Sequence, residues 1–108
     1  MSQIVNIKTG EIIAKEYRLV RGIWGKARGL MFSKKKNLIF EWPTEREVSI
    51  HMLFVFFPIE ALFLDKDKRV IAKKWLKPFT LNFQSIPAKW VIELPYKTKT
   101  KINDILRF

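Results

Sequence analysis

There is no cysteine in this sequence, and its 108 residues include only one histidine, four glycines and ten acidic side chains. The missing cysteines exclude disulfides, thiolate zinc sites and a cysteine nucleophile, and nothing points to an oxidising compartment. A single histidine offers too few nitrogen ligands for a transition metal, so no metal site is expected. The glycines, at 10, 22, 25 and 29, never fall into G-x-G-x-x-G or G-x-x-x-x-G-K-[ST]. A phosphate-cradling loop is therefore absent and no cofactor is expected. Ser2, Ser33, Ser49 and Ser85 lie outside any nucleophile-elbow pattern, which leaves serine catalysis without support. Long apolar runs are lacking too. The longest, residues 52–64, contains Pro58 and Glu60 and is too short to cross about 30 Å of hydrocarbon. The opening MSQIVNIKTGEII lacks the basic and then apolar layout of a secretion signal, and the chain reads as cytoplasmic.

What is present is 48% hydrophobic and 29% charged side chains, the balance of one globular domain spanning residues 1–108. Lys and Arg number 21, giving a formal charge of +11. The excess is uneven: residues 66–108 hold 11 basic and 3 acidic side chains, whereas residues 1–65 hold 10 and 7. Heat-adapted proteins enrich lysine, but together with glutamate, and here the acids lag. The resulting field attracts polyanions. Within it, Lys73-Lys74-Trp75-Leu76-Lys77-Pro78-Phe79 interleaves lysines with aromatics, a composition that neutralises phosphates and stacks on bases or sugars. Lys97, Lys99 and Lys101 extend the set, and Lys34-Lys35-Lys36 are candidates for the same surface.

Hydrophobic patterning predicts a mainly β fold. Ile4, Val5 and Ile7, a turn at Thr9-Gly10, and Ile12 to Ala14 read as a hairpin leading into Tyr17 to Val20. Ile23, Ala27, Leu30 and Met31 recur at helical spacing and predict one short helix over 23–31. Strands are expected at Leu38 to Phe40, at Val48 to Phe57 after a Trp42-Pro43-Thr44 turn, and at Ile59 to Asp65. Others follow at Val70 to Leu76 and Trp90 to Leu94. In the 48–57 segment both parities are apolar, which predicts a strand covered on both faces. Lys97 to Lys101 alternates with threonine and predicts an exposed hairpin or strand edge. Seven to nine short strands with regularly spaced turns predict a compact antiparallel β-sandwich or jelly-roll-like barrel.

Several blocks together resemble the domain of unknown function 192 family: Ala27-Arg28-Gly29-Leu30-Met31-Phe32, Ser49-Ile50-His51-Met52, Phe57-Pro58-Ile59-Glu60-Ala61-Leu62-Phe63-Leu64-Asp65, and Ile86-Pro87-Ala88-Lys89-Trp90-Val91-Ile92-Glu93-Leu94-Pro95. Ile102-Asn103-Asp104-Ile105-Leu106 completes the pattern, which covers about residues 17–108 and is similar to the short, archaeal-like members. The resemblance implies a mainly β sandwich with jelly-roll character and no assigned activity. The chain departs from the family pattern at Phe54-Val55, at Glu60 where Asp is common, and at Asn103 where glycine is usual. His51, Glu60, Glu93 and Asp104 are its surviving polar positions.

Two functions follow from these residues. In the first, the chain is a non-enzymatic binding or accessory module whose basic surface, formed by Lys73, Lys74, Trp75, Lys77, Lys97, Lys99 and Lys101, contacts an anionic partner such as nucleic acid. In the second, it is a small enzyme or small-ligand binder using a polar cluster of His51, Glu60 and Glu93, with Asp104 a further candidate polar position. The ordinary reading of that cluster is a set of buried polar groups, each satisfied by its own partner.

Overall fold

The computed structural model describes residues 3–21, 36–48, 57–78 and 86–108. Among them are eight strands: β1 (Ile4–Asn6), β2 (Ile12–Ala14), β3 (Arg18–Val20), β4 (Leu38–Val48), β5 (Ile59–Leu64), β6 (Val70–Leu76), β7 (Ile86–Leu94) and β8 (Leu106–Arg107). They form a three-stranded sheet in the order β2-β1-β8 and a five-stranded sheet in the order β3-β4-β7-β5-β6. The mainly β, two-sheet architecture is the one the alternating apolar pattern predicts. Every pairing is antiparallel except β3 with β4, which is parallel. The helix expected over 23–31 lies outside the described residues, as do residues 49–56 of the expected strand from Val48 to Phe57.

The predicted hairpin of β1 and β2 forms, and Gly10 supplies the positive φ of 79° that its turn requires. The expected turn at Trp42-Pro43-Thr44 does not break the strand. Instead β4 continues to Val48, and its pairing with β7 jumps from Glu41–Trp90 to Arg46–Ala88, leaving the intervening residues as a bulge. Proline lacks an N–H, so an unpaired stretch of this kind is where a sheet tolerates it. The Lys89 ammonium fills the gap opposite, donating to the Trp42 carbonyl at 3.0 Å and to Glu41 Oε2 at 3.3 Å.

Strand parity sorts the five-stranded sheet into two faces. Ile39, Leu62, Leu64, Ile92 and Leu94 point toward the small sheet and pack with Ile4, Ile13, Ala14 and Leu106. Leu38, Phe40, Ile59, Ala61, Phe63 and Val91 belong to a second cluster on the opposite face. All six residues of β5 are buried, Glu60 included, so this strand is covered on both faces. Hydrogen bonds stitch the layers together: Tyr96 Oη donates to the Ile13 carbonyl at 2.7 Å, linking the end of β7 to β2.

Candidate functional site

The basic residues singled out from the sequence lie on β6, the last strand in the order of the large sheet among the described residues, just after it at Lys77, and on the segment after β7 that Lys73 ties to it. That segment is not a hairpin or a strand as expected. Lys97, Lys99 and Lys101 are exposed while Thr100 is fully buried and Thr98 half-buried, so the alternation is real. The segment is held by side chains rather than by a backbone ladder. Lys73 Nζ donates to the Thr98 carbonyl at 2.9 Å and to the Thr100 carbonyl at 2.7 Å, and lies 3.5 Å from Glu60 Oε1. The Lys73 ammonium thus ties the segment to β6, while its side chain stays 31% exposed. Beside it Trp75 is 38% exposed, a high value for so large an apolar side chain, and Lys97 Nζ lies 4.9 Å from its ring centroid. Lys77, Lys99 and Lys101 are exposed and have no ion-pair partner among the described residues. Lys74, which faces the other side of β6, has further contacts of its own.

Lys36 does not join this surface. It lies at the entry to β4 beside β3, at the sheet edge opposite β6, and Lys34 and Lys35 are outside the described residues. Sequence reading missed what surrounds Lys36: an open groove of about 330 Å³ lined by Glu16, Tyr17, Arg18, Lys36 and Asn37. These residues come from two distant segments joined by the parallel pairing, where Arg18 N donates to the Asn37 carbonyl at 2.9 Å and Asn37 Nδ2 to the Glu16 carbonyl at 3.0 Å. No local pattern announces such a juxtaposition.

The four polar candidates do not form one cluster. Glu60, 1% exposed, faces the small sheet and accepts from Thr98 N at 3.0 Å and Thr98 Oγ1 at 2.6 Å, so its carboxylate anchors the lysine-bearing segment. Glu93 pairs across the ladder with Ala61 and Leu38, both members of the opposite cluster, so it points away from Glu60. It is buried, has no hydrogen-bond or ion-pair partner among the described residues, and burial pushes its carboxyl up to about 8. Asp104 sits at the far end of the small sheet. It accepts from Asn6 Nδ2 at 2.7 Å and from Lys101 N at 2.9 Å, and these bonds, the backbone one foremost, hold its carboxyl below the usual range. His51 lies outside the described residues. Among the described residues no three potential ligands come together to hold a metal ion.

Two stacked sheets, one edge carrying lysines around an open indole, and buried carboxylates dispersed to separate places define a small β-sandwich protein. The chain belongs to the DUF192 family (Uncharacterized ACR, COG1430), whose pattern it matches over residues 5–103. It is 34% identical over 95 residues to the UPF0127 protein PF1050 of Pyrococcus furiosus, covering 85% of this chain and 82% of that protein. It is also 34% identical over 91 residues to the UPF0127 protein PH1112 of Pyrococcus horikoshii, covering 82% and 79%. The fold is similar to that of a candidate transcription regulator from Sinorhizobium meliloti 1021, with a TM-score of 0.82 and 19% identity over 97% of this chain and 89% of that one. A protein of unknown function from Novosphingobium aromaticivorans shares it with a TM-score of 0.73 and 20% identity, over 83% and 72%.

Proposed function

We propose that this chain is a non-enzymatic binding module whose β6 edge holds an anionic polymer. The observation that carries the reading is the exposed Trp75 indole with the Lys97 ammonium over its ring, beside exposed Lys77, Lys99 and Lys101 that have no acidic partner among the described residues. Several ammonium groups along one edge, set on a rigid sheet, release counterions when a polyanion binds. The dispersal of Glu60, Glu93 and Asp104 weakens the competing idea of a catalytic cluster, because general acid–base chemistry needs its groups on one reacting centre.

Salt-dependent retention on immobilised heparin tests the reading. The triple change Lys77→Glu, Lys99→Glu and Lys101→Glu should elute at much lower salt than the control Lys15→Glu, Lys36→Glu and Lys66→Glu, which alters net charge equally. Equal displacement of the two triples would mean that only overall charge matters and would overturn the assignment of this edge. Lys73 is left unchanged because it holds the segment in place.

A further inference from the structure

We propose that the polymer bound at the β6 edge is a single-stranded nucleic acid, with an unpaired base stacked on Trp75 and its phosphates on the lysine row; this rests on the reading above and names its ligand. Charge alone would not require an aromatic. An indole that is 38% exposed presents part of a flat apolar face to solvent. Its placement among cations distinguishes it from the exposed Ile7, Ile12, Leu19 and Ile102, which offer no flat π-face, and from Tyr96, 39% exposed, whose hydroxyl is tied to the Ile13 carbonyl.

The arrangement around Trp75 is built. Along β6, Lys73 and Trp75 occupy alternate positions and share a side, with Lys73 reaching the Thr98 and Thr100 carbonyls, and the exposed Lys77 directly follows the strand. Glu60 secures the same segment from below through the Thr98 amide and hydroxyl. Thr98 and Thr100 being directed inward, Lys97, Lys99 and Lys101 are directed outward, and alternate Cα atoms of such a chain lie at most about 7 Å apart. A row with this repeat suits the phosphates of a stretched strand. Lys97, already over the indole, meets the phosphate next to the stacked base. Because a base within a duplex has both faces occupied by its neighbours, a platform of this kind selects unpaired strands.

Fluorescence anisotropy with a labelled deoxythymidine 12-mer, a duplex of the same length, and heparin as a competitor that carries charge but no bases tests the proposal on the full chain. The wild-type protein should bind the single strand at least about tenfold more tightly than the duplex. Trp75→Leu, which keeps an apolar side chain on the strand, should weaken single-strand binding about 10- to 100-fold while leaving heparin retention unchanged, and Trp75→Tyr should restore most of the loss. The triple change at Lys77, Lys99 and Lys101 should lower the salt dependence, reducing the slope of log K against log salt by about 2. Unchanged single-strand affinity in Trp75→Leu, or equal binding of strand and duplex, would overturn the stacking inference and leave the anionic-polymer reading standing. Absence of binding to both heparin and the oligonucleotides would overturn both. Circular dichroism melting of each variant separates lost binding from lost fold.

Discussion

Glu60 and Glu93 stand one rung apart on neighbouring strands of the same sheet and point to opposite sides of it. Ala61 pairs with Glu93 and Glu60 pairs with Leu94, so the alternation of the pleat sends one carboxylate toward the small sheet and the other toward the second apolar cluster. One accepts from Thr98 and lies beside Lys73, whereas the other is buried with no hydrogen-bond partner among the described residues. The same residue type consequently has two unlike roles, and they yield separate predictions.

Glu60 is a structural anchor. Replacing it with Ala removes the acceptor for the Thr98 amide and hydroxyl and strands the Lys73 ammonium beside a buried site. A loss of about 2–4 kcal/mol in urea unfolding is expected, together with faster amide exchange at residues 98–101. A loss below about 1 kcal/mol would show that the segment is held by other contacts.

Glu93 makes stability depend on pH in the direction opposite to an ordinary paired carboxylate. Its folded value of about 8 lies above the 4.5 of the free side chain, so the folded state binds the extra proton between these limits. The contribution is complete below about 4.5 and is lost as pH rises through about 8, with a slope approaching 1.4 kcal/mol per pH unit. Urea midpoints measured from pH 5 to 9 should fall for the wild type and stay nearly level for Glu93→Gln. Parallel curves for the two proteins would contradict the assignment.

Asp104 acts on the acid side. Its carboxylate is held below its free value of 3.8 by the Lys101 amide and the Asn6 side chain, so its contribution is present above that value and lost as pH falls through the lowered one. In a double-mutant cycle at pH 7, Asn6→Ala and Asp104→Ala should show a coupling of about 1.5–3 kcal/mol. Additive losses would mean that the 2.7 Å contact between strand β1 and the final turn contributes little.

Asn103 explains one departure from the family pattern. Its φ of 78° lies in the left-handed region, which glycine and asparagine adopt more readily than other residues. Asn103→Gly should leave the melting temperature nearly unchanged, whereas Asn103→Val should cost about 1–2 kcal/mol. Similar stability of the two variants would indicate that the turn relaxes to another conformation.

Much of this fold was legible because it depends on local pattern. Ile4 to Ala14 announced a hairpin through alternation and a glycine turn, and the apolar residues from Ile59 to Leu64 announced a strand; that β5 is buried on both faces, Glu60 included, came from the structure. Pro43 misled for a physical reason: proline ends a strand only where its missing N–H is needed, and the bulge in β4 removes that need. Lys97 to Lys101 looked like an edge strand because alternation is common to a ladder and to a segment pinned by side chains. The parallel pairing of β3 with β4 left no sequence trace, and with it the groove around Tyr17 and Lys36 went unseen.

The mainly β character, the strong positive charge and the lysines that accompany a tryptophan could be read from the order of residues alone, since alternation, charge and order are properties of the polymer. Packing in three dimensions is what gives the exposed Lys73 its carbonyl partners on the 98–100 segment, sets Lys97 over the Trp75 ring, and separates Glu60 from Glu93 by the thickness of a sheet. Those outcomes turn on register. A shift of one residue in the pairing would exchange the faces of every side chain on a strand, and register is set by the sum of distant contacts rather than by any single segment.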